Sequence, residues 1–405
     1  MNTVLIAWWG IVVLALLVGA KRKVPIISCY YLFIAFSLLY CAYMFFGSDV
    51  ETGGLSLLEN YEIINYVVSS TLLGLLFFIF FYWYGTDSKK FVKKQGFVYS
   101  KKEYVRKDIF LPTYIALLTI LIIFAKNFGW HAVSRDGVVG IETSLFAYGK
   151  YFFVCMGLMG LWVEPLSKKW AIFILLTQTF LMLFDGGRAT FFGLVVAYAW
   201  ILSVNGVNLK ASQMGYLFLF ALILLASRAL VLGEGLIDGM VSSVVAEGIF
   251  AGYTGLQMGD YVLAGGGYLY GFSYLLDPII YLLPQGIREN YLLFITLSVN
   301  NYIGKENFGP MGGFFWIAEA IANFGFFGGA VIGSVYGYFL SKLENYQTGK
   351  GYYKIFIVAA FGSLLSKYYV ANGVKIAIFY LIAALIIKKV FVRHRASCGM
   401  ASLAT

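Results

Sequence analysis

The sequence predicts an all-α, polytopic integral membrane protein. It reads as a single transmembrane domain over residues 1–405, with about eleven transmembrane helices and one large loop at 233–311. Three observations carry this expectation. Sixty per cent of the 405 residues are hydrophobic and 12% are charged, with a mean hydropathy of +0.80, which excludes a water-soluble globular domain. The apolar residues gather in runs of spanning length and lack the alternation of a transmembrane β-barrel. The basic residues are sorted to one side of those runs.

Taken in order, the runs suited to spans are 2–20, 25–46, 65–84, 109–125, 145–163, 170–184, 190–204, 214–232, 312–340, 353–373 and 374–392. The first lacks a basic n-region and a cleavage site, so it predicts a first span and not a cleaved signal peptide. An odd number of spans places the chain ends on opposite faces. KRK at 21–23, the loop 85–108, Lys168, Lys169, Lys210, the loop 341–354 and the tail KKVFVRHR hold 21 of the 30 Lys and Arg, all on one face. The positive-inside rule makes that face cytoplasmic, with the N-terminus outside and the C-terminus inside. These runs therefore predict topology signals, and the net charge of +10 does not imply a nucleic-acid partner.

Tandem or inverted repeats of the transporter kind do not occur. The loop 233–311 is rich in Gly and aromatics and includes an apolar stretch at Tyr274–Leu283, which predicts re-entrant or interfacial helices. Residues 396–405 predict a disordered tail. Cys29, Cys41, Cys155 and Cys398 have no metal-ligand spacing. Cys29 and Cys41 would lie about 18 Å apart on one helix, too far for a disulfide.

Nine basic residues fall outside the cytoplasmic group: Lys126, Arg135, Lys150, Arg188, Arg228, Arg288, Lys305, Lys367 and Lys375. Two can be placed in depth. The span before Asp185 rises about 22 Å against a hydrocarbon core of about 30 Å, then turns at once through Gly186-Gly187-Arg188. Arg228 follows Met214 by about 21 Å of helix, which predicts a similar depth. Recessed arginines at the outer leaflet are costly unless they meet an anion or a wet cavity. The alternatives are pairing of Arg188 with Asp185, and of Arg228 with Glu234 or with the interface by snorkelling. Arg288 follows LLPQGI on the external loop. Arg135 lies beside Asp136 in a predicted external loop, Lys150 is near a span end, and Lys367 is deeper.

Within 312–340, Glu319 and Asn323 stand one helical turn apart in the outer half of the predicted span. Glu319 is a candidate partner for an arginine, or a candidate base. Glycines at 325, 329, 333 and 337 repeat every four residues, a small-residue stripe that predicts close helix packing. A P-loop, an HExxH motif and a dinucleotide fingerprint are all absent from the sequence. His131 is a lone histidine in a predicted external loop.

The order of these features resembles the O-antigen and oligosaccharide repeat-unit polymerases, the Wzy-type enzymes. A short span ends in DGGRATFF, an external loop carries YGFSYLLDPIIYLLPQGIREN, and a closing helix reads AEAIANFGFFGGAVIGSVYG. The likeness covers roughly residues 180–340, and the earlier spans match only as spans. It implies a metal-independent, cofactor-free glycosyltransferase of the bacterial inner membrane with its active site at the periplasmic face. Such an enzyme moves the growing glycan from undecaprenyl pyrophosphate to a new lipid-linked repeat unit, and its partners include membrane lipids and a chain-length regulator. The resemblance puts Arg188 at the tip, Arg288 in the loop and Glu319 on the closing helix. In this sequence Gln285, Gly286 and Ile287 separate Pro284 from Arg288.

Together these readings assign Arg188, Arg228 and Arg288 to pyrophosphate binding and Glu319 to base catalysis, with Asp185 and His131 as weaker candidates for the base. Arg135, Lys367, Asn323 and Tyr274 are weaker substrate-binding candidates. The rival functions are an O-antigen ligase, which uses the same donor, and a lipid-linked oligosaccharide flippase or other transporter.

Overall fold

The computed structural model describes residues 2–22, 24, 28–46, 60–85, 103–127, 141–163, 251–282, 315–344, 354–360 and 370–394, with scattered helical positions between 173 and 201. These are mostly helical. Among the described residues, three stretches are long and apolar enough to cross a membrane: Tyr61–Gly85, Lys107–Phe124 and Trp316–Leu343. The predicted runs 214–232 and most of 170–184 and 190–204, together with the tail 396–405, lie outside the described residues.

Helices α1 (Asn2–Arg22), α2 (Cys29–Phe46) and α3 (Tyr61–Gly85) begin the chain. Polar side chains set two of their starts. Ser28 Oγ accepts the Tyr31 N–H at 3.3 Å ahead of α2. Asn60 Oδ1 accepts the N–H groups of Glu62 and Ile63 at 3.1 and 3.3 Å ahead of α3, an N-cap that satisfies donors left over at a helix start. At the other end, Arg22 donates to the Trp83 carbonyl at 2.9 Å and lies over its ring. This places a cation on the carbonyl end of α3, where the helix dipole favours it.

Strand β1 (Glu103–Val105) precedes α4 (Lys107–Asn127), which carries Pro112 in its second turn, where proline cannot donate to the Asp108 carbonyl. Helix α5 is Ile141–Val163. Residues 251–263 are helical and lead through a short turn into α6 (Phe272–Leu282). Helix α7 (Trp316–Phe324), a 3-10 turn at Gly325–Phe327 and α8 (Gly328–Glu344) follow. Helix α9 (Val370–Phe391) runs directly into β2 (Val392–His394).

Three details depart from the sequence expectation. The fold is not purely helical: β1 and β2 pair antiparallel, Glu103 opposite His394 and Val105 opposite Val392. This brings the end of the basic loop 85–108 beside the basic tail. The expected boundary between runs at 373 and 374 falls inside α9, which is already helical from Val370. The continuous helix expected over 312–340 is broken at Gly325, whose φ of +62° is a conformation L residues other than glycine rarely adopt.

The buried side chains form two cores. The first joins α1, α2, α3, residues 251–262 and the α7–α8 pair. Here Gly329, Gly333 and Gly337 lie against the carbonyls of Ser70, Gly74 and Phe78, so closely that any Cβ would collide with them. The matched four-residue steps show that α3 and α8 run parallel. Aromatic rings fill the remaining space, among them Tyr30, Phe33, Phe78 and Tyr82. The second core joins α4, α5, α9 and the helical positions between 173 and 201.

Candidate functional site

Two of the sequence-predicted site residues, Glu319 and Asn323, lie on α7, and both are buried. The start of α7 is fixed from outside: the Phe315 N–H donates to Thr254 Oγ1 at 3.0 Å, and the Trp316 indole donates to Ser37 Oγ at 2.9 Å. Its end is fixed by the segment entering α6. The N–H groups of Leu269 and Tyr270 donate to the carbonyls of Ala322 and Asn323 at 2.9 and 3.1 Å. These carbonyls lose their helical partners because α7 stops at Gly325, and the incoming strand of backbone replaces them.

The approach requires unusual backbone. Tyr270 has φ of +49° and Gly271 φ of +86°. A non-glycine residue in that region is held there by its surroundings at a cost of order 1 kcal/mol. One further carbonyl freed by the break, that of Phe326, accepts the Ser70 hydroxyl from α3 at 2.7 Å. These carbonyls at the break in the apolar helix are thus met by donors from other segments.

Asn323 joins the pieces. Its amide nitrogen donates to Ser273 Oγ and to the Glu319 carbonyl, each at 2.7 Å, and its amide oxygen accepts the Gly271 N–H at 2.9 Å. Ser273, having accepted from Asn323, turns its own hydrogen to Glu319 Oε1 at 3.4 Å. The other carboxylate oxygen, Oε2, accepts the Val370 N–H at the start of α9, at 3.0 Å. Both oxygens of Glu319 therefore face donors, from α6 on one side and α9 on the other. Each keeps a lone pair, so the group is oriented and can still receive a proton.

Burying a carboxylate is expensive unless hydrogen bonds replace its water, and these two supply part of that replacement. A second buried carboxylate, Asp277, lies one turn beyond Ser273 on α6 and interacts electrostatically with Glu319. Tyr274 stacks on Phe324 with ring centroids 6.4 Å apart. Its hydroxyl is buried and has no hydrogen-bond partner among the described residues. Tyr336 on α8 also lies within electrostatic reach of Glu319.

The structure thus brings together three of the residues singled out from the sequence: Glu319, Asn323 and Tyr274. Asn323 acts on the Glu319 main chain rather than on its carboxylate, and holds Ser273 instead. Asp185, His131, Arg135, Arg188, Arg228, Arg288 and Lys367 lie outside the described residues. Lys150 is buried in α5, its ammonium 5.8 Å from the Tyr151 ring centroid. Ser273, Asp277 and the Val370 N–H were missed. The visible signal for two of them was a Ser and an Asp four residues apart in an otherwise apolar FSYLLDPII.

Among the described residues, three or more His, Cys, Asp or Glu side chains do not gather as metal ligands. Cys29, Cys41 and Cys155 are buried and are not joined in disulfides among the described residues. Comparison with protein-family models, with curated proteins and with solved structures finds no match for this chain.

Proposed function

We propose that this protein is a multi-pass membrane glycosyltransferase, a surface-polysaccharide polymerase of about eleven spans acting at the periplasmic face of the bacterial inner membrane. It transfers a growing glycan from undecaprenyl pyrophosphate to a lipid-linked repeat unit. The observation that carries the reading is Glu319: a buried carboxylate on a broken apolar helix, oriented by Ser273 and the Val370 N–H. Intramembrane carboxylates so placed are functional by default. The likeness of residues 180–340 to repeat-unit polymerases supplies the reaction class.

In this reading Glu319 receives the proton of the acceptor hydroxyl as that oxygen attacks the anomeric carbon. The bond from that carbon to the pyrophosphate oxygen breaks, and the leaving diphosphate takes the electron pair. Arg188, Arg228 and Arg288 stabilise the charge that develops there. The loop 233–311 contributes α6 to the site.

The test is complementation of a deletion strain, read as polysaccharide ladders on gels. The deletion should leave a single repeat unit on the lipid A–core; a strain with none would indicate a ligase instead. Glu319→Gln, and Ala at each of the three arginines, should abolish or severely shorten the ladder at unchanged membrane levels. Full-length ladders in all four variants would end the proposal.

A further inference from the structure

Helix α6 is inside out. Its exposed side chains are Phe272 (48%), Leu275 (69%), Ile279 (59%) and Leu282 (43%), spaced three, four and three residues apart along one face. Its buried residues are Ser273 and Asp277, both fully buried, and Ile280. A helix docked on a water-facing protein surface shows the opposite polarity. This arrangement is expected where the surroundings are as apolar as the protein interior and the polar groups are needed within.

Depth points the same way. The turn that begins α6 is hydrogen-bonded to the carbonyls of Ala322 and Asn323. Asn323 is seven residues along a stretch long and apolar enough to span a membrane, about 10 Å from Trp316 at the usual helical rise. Helix α6 has eleven residues and is about 16 Å long, half of a hydrocarbon core of about 30 Å. Ser273 at the start of α6 reaches back to Glu319, which precedes Asn323, and the body of α6 packs against α9. The irregular backbone at 269–271 has its N–H groups satisfied by α7, the condition for non-helical chain inside a bilayer.

We infer that residues 269–282 form a re-entrant half-helix of the membrane domain. The face made by Phe272, Leu275, Ile279 and Leu282 borders the acyl chains of the bilayer, and the opposite face holds Ser273 on Glu319 and keeps Asp277 buried. The partner of this surface is lipid hydrocarbon. The inference does not depend on the reaction proposed above, because it concerns where α6 lies and not what Glu319 does.

The test uses the full-length protein in nanodiscs. Cysteine is placed singly at Leu275, Ile279 and, as an exposed polar reference, Asp260, with Cys398 replaced by Ser. Leu275 and Ile279 are exposed, so their substitution leaves the packing intact. A membrane-impermeant maleimide should label L275C and I279C at least roughly tenfold more slowly than D260C, because a thiolate does not form in hydrocarbon. Bimane attached at 275 and 279 from the detergent-solubilised state should then be quenched by brominated acyl chains, and bimane at 260 should not. Labelling as fast as D260C would put the face in water. Slow labelling without quenching would mean that protein covers it, and a disulfide-linked L275C dimer would identify that protein as a second copy. Each of these three results overturns the inference.

Discussion

The two cores hold helices together by different means. In the first, α3 and α8 meet backbone to backbone along Gly329, Gly333 and Gly337. In the second, a buried polar network does the joining. Gln178 donates from its amide to the carbonyls of Phe153 and Val154 at 3.0 and 3.2 Å, and accepts from the Tyr198 hydroxyl. Tyr114 shares a 2.9 Å hydrogen bond with Thr177. Within a bilayer there is no hydrophobic drive to press one apolar helix on another. Close approach of small residues and buried hydrogen bonds are the two substitutes; the first core combines its glycine contact with the Trp316–Ser37 and Phe315–Thr254 hydrogen bonds, and the second relies on the Gln178 network. Glu319 lies where the halves meet: its own helix belongs to the first core, and the Val370 N–H that it accepts belongs to α9 of the second.

Stability measurements on the purified protein, by heat or by SDS unfolding, sharpen the contrast. Gly333→Val should have the largest effect, a loss of about 3 kcal/mol, since its side chain must displace the Gly74 backbone. An unchanged melting point would break the claim that backbone contact carries the first core. Gln178→Leu should cost about 1.5 kcal/mol, because the Tyr198 hydroxyl is left buried without its acceptor. If Gln178→Leu proved as stable as the parent, the second core would be held by apolar packing alone.

Smaller losses test the parts outside the main contacts. Asn60→Ala should cost about 1 kcal/mol through the lost cap of α3, and Asn60→Asp should restore most of it. Ser70→Ala removes the one hydroxyl that α3 offers to the break at Gly325–Phe327, and should cost about 0.6 kcal/mol. A loss as large as that of Gly333→Val would show that the broken helix depends on Ser70 as much as on the glycine contact.

Much of the helical layout was legible. The described ends of α1, α3, α4 and α5 fall within about four residues of the expected runs, because bilayer thickness and apolar composition together constrain a span. Three of the four glycines expected to form a packing stripe do so. Gly325 does not, although its spacing is the same. Its role depends on the arrival of residues 269–271, which is a contact across more than fifty positions of chain and leaves no periodic mark. Glu319 and Asn323 were legible because a polar residue in an apolar run is conspicuous. Ser273 and Asp277 were not, since they sit in a segment whose apolar residues dominate its composition yet face outward.

The sequence by itself determined the helical character of the described residues and the apolar stretches long enough to span a membrane. Burial of apolar surface and internal backbone hydrogen bonding are properties of each segment taken alone, so they can be read one segment at a time. Only the tertiary structure decided where α7 breaks, which face of α6 is polar-side in, and which donors meet the Glu319 carboxylate. Those outcomes depend on hydrogen bonds between residues 46 to 52 positions apart. Such pairings are chosen by the packing of α6, α7 and α9 together, and no local stretch of chain contains them.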